Sequence, residues 1–230
     1  MIFMKREILD LIPMFGVYLQ RHLITLSLLD KRKSFILDVG CGDGIMSSFL
    51  KRCGKKIVAV DVVKTKREFP YVIAKAEELP FKKETFDQVI CLDVIEHVKN
   101  DKLVAREIER VLKSNGNLIL TTPSNFWKFP YYSFMRFISP SEKSLLEFFG
   151  HVKKGYDLNQ IKKLFNKLEI EEVKYFCDRV SALFFDLEYS NLFIIKNIIL
   201  RIMALPLFIN FKLSKKDFGT CIGARLVKAK

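Results

Sequence analysis

From residue 35 onward, short apolar runs alternate with amphipathic stretches, and that alternation excludes most fold classes. "FILDVG" precedes "GIMSSFLKRCG", "KIVAVDVV" precedes "YVIAKAEELPF", "FDQVICLDV" precedes "DKLVAREIERVLKSNG", and "NLILTTPS" follows. Runs of about four to six residues rich in Val and Ile fit strands buried on both faces, and helical periods between them fit crossovers. The expected architecture is α/β, a doubly wound and mostly parallel sheet.

Within this frame "DKLVAREIERVLKSNG" predicts a helix whose stripe is Leu103, Val104, Ile108, Val111 and Leu112, capped by Asn100 or Asp101 and ended by a left-handed Gly116. After Pro123 the texture changes. Residues 124–150 hold nine aromatics and two prolines, the composition of an inserted aromatic-rich helical cap. "YDLNQIKKLFNKL" then reads as helix, "EIEEVKYF" as strand and "GTCIGARLVKAK" as a closing strand.

A chain of 230 residues, 50% of them hydrophobic, is expected to fold as one domain over 1–230. Its parts are an N-terminal helical docking segment at 1–33, a nucleotide core at 34–124, a cap with helical insertions at 125–216, and a closing strand at 217–230. The five cysteines show no C-x-x-C spacing, so neither a metal site nor a disulfide framework is expected and a cytoplasmic location fits. Asp10 interrupts the N-terminal apolar run, which argues against a signal peptide. An apolar helix expected around 183–211 is broken by Lys196, Asn197 and Arg201, which argues against a membrane span. Of the net charge of +13, +8 falls in residues 123–230, where it either attracts phosphate-bearing partners or is a solvated face.

The turn "DVGCGDG" places Gly40, Gly42 and Gly44 between the strand "ILDV" and a helix, where glycine permits positive φ and close backbone approach. The spacing is G-x-G-x-G, neither the dinucleotide G-x-G-x-x-G nor a P-loop. Asp38 and Asp43 would repel a pyrophosphate at a helix N-terminus. They suit a phosphate-free nucleoside with positive charge, and S-adenosylmethionine carries both an ammonium and a sulfonium. Asp61 ends the next apolar strand, where a carboxylate can accept from both ribose hydroxyls, and Val62 follows to pack on adenine.

Together, "ILDVGCGDG", "VAVDVV", "AKAEELPF", "FDQVICLDVIEHV" and "VLKSNGNLILTTPS" resemble the ordered motifs of class I S-adenosylmethionine-dependent methyltransferases over about residues 34–124. The small-molecule branch, which includes quinone-biosynthesis enzymes, is the most similar. The resemblance implies a Rossmann-like methyltransferase fold with seven strands. It places Asp38, Gly40, Cys41 and Gly42 against the methionine portion, Asp61 on the ribose, and the Ala76 N–H on adenine. Glu77 is a substitute acceptor, because Lys75 stands where the family has Asp or Asn. Leu92 and Asp93 should lie along the ligand. If the segment turns helical, Asp93 and His97 share a face and His97 can remove a substrate proton; the competing reading is a structural histidine bonded to the next loop. Arg21 is a candidate for the methionine carboxylate.

The implied reaction is in-line methyl displacement with S-adenosylhomocysteine as product. The expected acceptor is a small molecule, lipid-like, quinone-like or a sugar. Neither the [DNS]-P-P-[YFW] signature nor the catalytic-cysteine pattern of RNA enzymes is present, so nucleic acid is disfavoured, with an RNA-modifying enzyme or a catalytically silent binding module as the alternatives. The apolar helix and its flanking Lys212, Lys215 and Lys216 suggest contact with an anionic membrane, packing on the sheet, or a homodimer.

Overall fold

A computed structural model describes residues 16–63, 69–192 and 195–229, without the side chains of 17, 195–201 and 204. Strands β1 (Phe35–Val39), β2 (Lys56–Asp61), β3 (Tyr71–Ile73), β4 (Phe86–Leu92), β5 (Leu112–Pro123), β6 (Leu168–Phe176) and β7 (Cys221–Lys228) form one sheet. Its order is β3-β2-β1-β4-β5-β7-β6. The first five strands pair in parallel, whereas β7 runs antiparallel to both β5 and β6. The expected seven-stranded, mostly parallel sheet is found, and the order reverses between β1 and β4, the point at which open α/β sheets bind ligands.

The helices are α1 (Val17–Leu28), α2 (Ile45–Arg52), α3 (Asp101–Val111), α4 (Glu142–Phe149), α5 (Leu158–Leu164), α6 (Arg179–Glu188) and α7 (Ile195–Leu213). Side chains alternate across the strands as the pleat requires. Leu37, Val39, Val89 and Cys91 pack with Val104 and Ile108 of α3 and with Ile161 of α5. Ile36, Ile90 and Leu92 face the opposite side, where Leu23 and Ile24 of α1, Phe49 of α2, Ala182 of α6 and Phe211 of α7 complete a second core. Both faces are covered, as continuous Val- and Ile-rich strands demand.

Helix α1 lies close to the sheet because Gly223 lacks a side chain there. A Cβ on Gly223 would stand 2.4 Å from Ile24 Cγ2. Gln20 fixes α1 against the start of α6: its Nε2 donates to Ser181 Oγ at 2.7 Å and its Oε1 accepts from the Cys177 N–H at 2.9 Å.

Three local expectations change. In α3, Asn100 is the cap, accepting from the Leu103 N–H, but Leu103 is itself exposed and Ala105 takes its place in the buried stripe. The left-handed residue after α3 is Asn115, at φ 58°, instead of Gly116. Gly116 is required by space, since a Cβ there would lie 2.7 Å from Lys113 O. The apolar stretch at 183–211 is two helices: α6 stops where the Ser190 N–H and Oγ both turn back to Leu187 O, and the Asn191 N–H donates to Ile138 O at 2.7 Å. Residues 1–15 of the N-terminal docking segment lie outside the described residues, and its described helix is α1. Among the described residues, no helix is long and apolar enough to cross a membrane.

Candidate functional site

The loop from β1 to α2 is held from below by β2. The Gly40 and Cys41 N–H groups both donate to Val60 O, at 2.8 and 3.1 Å. Gly40 adopts φ 69°, and a Cβ there would press to 2.4 Å from Val94 Cγ2. Gly42 has φ 51° with nothing within 4 Å of the Cβ it lacks, so its face is open to a ligand. Asp61, at the end of β2, accepts from the Gly42 N–H at 2.8 Å and the Val63 N–H at 3.1 Å. One carboxylate therefore shapes the loop and remains at its rim.

Two recesses flank this loop. The first, about 490 Å³, is bounded by Gly40, Asp61, Val62, Ala76, Glu77 and Asp93, with Lys75 and Lys99 at its margin. The second is bounded by Asp38, Gly40, Cys41, Gly42, Leu92 and Asp93, together with Tyr18 and Arg21 of α1. All ten residues expected from the sequence to touch the nucleoside or its amino-acid tail thus border one recess or the other.

The charges of the second recess fit the zwitterionic tail of S-adenosylmethionine. Asp38, Asp43 and Asp93 bring three carboxyl groups for an ammonium and a sulfonium. Arg21 brings a guanidinium whose Nε is buried without a hydrogen-bond partner among the described residues, which suits a carboxylate. Asp38 is buried and accepts from Ser47 Oγ at 2.6 Å. Burial raises its pKa to about 7 even with Arg21 nearby, so a further positive charge beside it would favour the ionised form. Tyr18 OH donates to Asp43, bringing α1 over the glycine turn.

A third cavity, about 240 Å³, opens on the far side of Asp93. One wall is aromatic, formed by Trp127, Phe149, Phe185 and Tyr189, with Trp127 and Phe185 edge-on at 6.0 Å and Phe149 and Tyr189 at 5.1 Å. The loop ahead of this wall is tied to α6 by the Tyr131 and Tyr132 N–H groups, which donate to the two oxygens of Asp186 at 2.9 Å each. The cap is aromatic as expected, but it divides: Trp127 and Phe129 are buried, whereas Phe126, Phe134, Phe137 and Phe148 are exposed.

The polar part of the lining is Asp93, Glu96, His97 and His151, and it adjoins the aromatic part where the His151 and Phe149 rings meet at 5.6 Å. Asp93 has φ 52° and accepts from Thr121 Oγ1 at 2.7 Å and from Arg21 at 3.1 Å. It borders all three cavities. Residues 95–97 form a turn, not a helix, so Asp93 and His97 do not share a helical face as expected. His97 is exposed, bonds through Nδ1 to Gly150 O at 3.3 Å, and meets the His151 ring edge-on at 4.6 Å. Burial and then His97 lower the pKa of His151 to about 4, so its ring is neutral. Glu96 is fully buried; its Oε2 accepts from Thr122 Oγ1 at 3.1 Å and its Oε1 has no hydrogen-bond partner among the described residues. Burial, reinforced by Asp93, pushes its pKa well up. Glu96 and His151 were missed from the sequence. The adjacency of Glu96 and His97 just after β4 was a signal for the first, and nothing in the pattern pointed to the second.

Comparison with known proteins points to the same fold. Residues 37–120 match the methyltransferase domain family. A ubiquinone biosynthesis O-methyltransferase of Xanthomonas oryzae pv. oryzae is 33% identical over 107 residues, which cover 41% of this chain and 45% of that protein. This chain thus matches under half the length of that relative. An uncharacterized protein of Methanocaldococcus jannaschii is 36% identical over 94 residues, 40% of this chain and 38% of its own. Among solved structures, an S-adenosylmethionine-dependent methyltransferase from Thermotoga maritima superposes with a TM-score of 0.63 at 20% identity, covering 97% of this chain and 95% of that one. One from Mesorhizobium loti gives 0.61 at 14% identity over 91% and 98%. Likeness at these identities is a likeness of fold.

Proposed function

We propose that this chain, whose residues 37–120 match the methyltransferase domain family, is an S-adenosylmethionine-dependent methyltransferase that transfers the methyl group to a small, ring-bearing acceptor seated in the cavity lined by aromatic and polar side chains. The observation that carries this reading is the position of Asp93. It borders both recesses beside the glycine turn and also the acceptor cavity, so a cofactor and an acceptor would meet across it.

The cofactor supplies an electrophilic methyl group on a sulfonium, and the chain's task is alignment and exclusion of water. Asp61 would accept from the ribose, exchanging its present N–H partners in part for hydroxyl groups. Arg21 would hold the carboxylate of the tail while Asp38 and Asp93 offset its positive groups. Trp127, Phe149, Phe185 and Tyr189 would clamp the ring of the acceptor in a site of about 240 Å³, which leaves any long chain outside. His97, with His151 behind it, stands where a proton of an attacking oxygen would leave.

An oxygen acceptor of quinone-like type is favoured over a sugar because four aromatic side chains, Trp127, Phe149, Phe185 and Tyr189, line the cavity. The partial likeness to a ubiquinone biosynthesis O-methyltransferase supports the same class. Incubation of the chain and deuterated-methyl cofactor with cell extract, followed by mass spectrometry, is expected to show a small aromatic product three mass units heavier than its unlabelled counterpart. An Asp61→Ala control should not give it. Label appearing only in RNA, or in nothing, would sink the proposal.

A second feature bears on location. Ile202, Leu205, Ile209 and Leu213 of α7 are 68%, 62%, 48% and 80% exposed and share one helical face, beside the exposed Lys212 and Lys215. An apolar stripe with basic flanks favours peripheral contact with an anionic bilayer.

A further inference from the structure

We propose that Thr121 is a positioning residue for the cofactor's carboxylate: it orients Asp93, and Asp93 in turn holds Arg21 ready for the amino-acid tail.

Asp93 stands in the left-handed region at φ 52°, a conformation that a residue with a Cβ keeps only where its surroundings over-determine it. Thr121 grips it at both backbone and side chain. The Thr121 carbonyl accepts from the Asp93 N–H at 3.0 Å, and Thr121 Oγ1 donates to Asp93 Oδ1 at 2.7 Å. Thr121 pairs with Leu92 in the ladder between β4 and β5 and is wholly inaccessible, so the grip comes from the sheet itself.

With Oδ1 taken by the hydroxyl, Oδ2 is left to α1, where Arg21 Nη1 donates to it at 3.1 Å. The Tyr18 ring, 4.3 Å from the guanidinium carbon, is a second support for Arg21. A guanidinium held in this way loses little freedom when a ligand arrives, and its buried Nε still has no hydrogen-bond partner among the described residues. An open donor on a fixed fork suits a carboxylate.

Thr121 lines none of the three cavities, whereas Asp93 lines all of them and Arg21 lines two. Any effect of the hydroxyl on a ligand must therefore pass through Asp93. Resting on the reading of the recess beside α1 as the site of the cofactor's tail, loss of the hydroxyl frees the Asp93 carboxylate to turn and Arg21 to follow it. The cost of ordering the pair then falls on ligand binding, and affinity drops.

The test is calorimetry with S-adenosylhomocysteine and with 5′-methylthioadenosine, which has the nucleoside and the sulfur but no amino-acid tail. Thr121→Val should bind S-adenosylhomocysteine about tenfold more weakly than the parent and 5′-methylthioadenosine within about twofold of it, because only the tail meets the charged pair. Thr121→Ser, which keeps the hydroxyl, should restore parental affinity. In an Arg21→Ala background Thr121→Val should add little further loss, as befits residues of one network. Thermal melting checks each fold, and Thr121→Cys, a weaker donor of similar volume, serves if the Val variant does not fold. Unchanged affinity of Thr121→Val for S-adenosylhomocysteine, an equal loss for both ligands, or a full additional loss in the Arg21→Ala background overturns the proposal. A parent chain that binds neither S-adenosylmethionine nor S-adenosylhomocysteine overturns the cofactor reading and the role of Thr121 with it, whereas parental binding that Thr121→Val leaves intact overturns the role of Thr121 alone.

Discussion

Arg21 Nη1 lies 3.1 Å from Asp93 Oδ2, joining α1 to the residue that follows β4 and borders all three cavities. The pair is largely buried, the side chains being 17% and 24% exposed, and Arg21 also covers the Tyr18 ring at 4.3 Å. Removing one partner of such a pair leaves the other charge without its counter-ion.

Arg21→Ala should therefore lower unfolding free energy by about 1–3 kcal/mol, less than for a fully buried pair because water still reaches both groups. Cofactor affinity should fall by about tenfold or more, since the tail carboxylate loses its cation. Urea unfolding and calorimetry measure the two effects separately. A stable variant with unchanged affinity would remove Arg21 from the cofactor site.

Asp61→Asn keeps the shape and some acceptor capacity but removes the charge that shapes the loop and that, in the proposed complex, would face the ribose. Hydrogen bonds to a charged group contribute about 1.5–3 kcal/mol, so affinity should fall by roughly one to two orders of magnitude. The loss should be equal for S-adenosylmethionine and S-adenosylhomocysteine, because the ribose is common to both. A loss confined to the sulfonium form would place Asp61 at the methyl group instead.

These two residues differ in how far the sequence could indicate them. Asp61 ends an uninterrupted apolar strand behind a glycine turn, and local pattern alone positions it. The strands of the core are similarly transparent, because burial on both faces makes them continuous apolar runs. Leu103 misled because it stands directly before the core residues Val104 and Ala105, yet its i+3 and i+4 neighbours are Arg106 and Glu107, so it lies at the edge of the stripe where α3 begins and solvent reaches it. The break between α6 and α7 was hidden because it is made by hydrogen bonds that composition does not reveal, the local turn of Ser190 back to Leu187 O and the long-range bond from the Asn191 N–H to Ile138 O. His151 could not have been found at all: it lies 54 residues beyond His97 and meets it only through the fold.

His22 gives a pH dependence with a definite sign. It is buried, bonded through Nδ1 to Tyr18 O at 2.8 Å, and faces Arg21 with Asp43 and Asp93 farther round. Burial, then the Arg21 charge, lowers its pKa to about 4 from 6.5. Between those values the unfolded chain binds the extra proton, so the contribution is full above pH 6.5 and is lost as pH falls toward 4, up to roughly 3 kcal/mol. Asp38 acts in the opposite direction, since its raised pKa makes the folded form hold its proton until about pH 7. The comparison must therefore be the difference between parent and His22→Gln, which should change by about 1.4 kcal/mol per pH unit within the window. A flat difference from pH 6.5 to 4.5 would show that His22 is not buried neutral.

The exposed stripe of α7 predicts salt-sensitive adsorption to anionic vesicles. Apolar area alone would bind neutral and anionic bilayers alike, whereas Lys212 and Lys215 add about 1 kcal/mol each only at a negatively charged surface. Co-sedimentation should be strong with vesicles rich in phosphatidylglycerol at low salt and weak with phosphatidylcholine. It should weaken by roughly an order of magnitude or more at 0.5 M salt, where the screening length drops below about 5 Å. Leu205→Asp, on the exposed face, should abolish adsorption while leaving the melting temperature close to that of the parent, because its side chain is already 62% exposed. A concentration-dependent dimer that the same substitution dissolves, with no vesicle binding, would assign the face to a second copy of the chain instead.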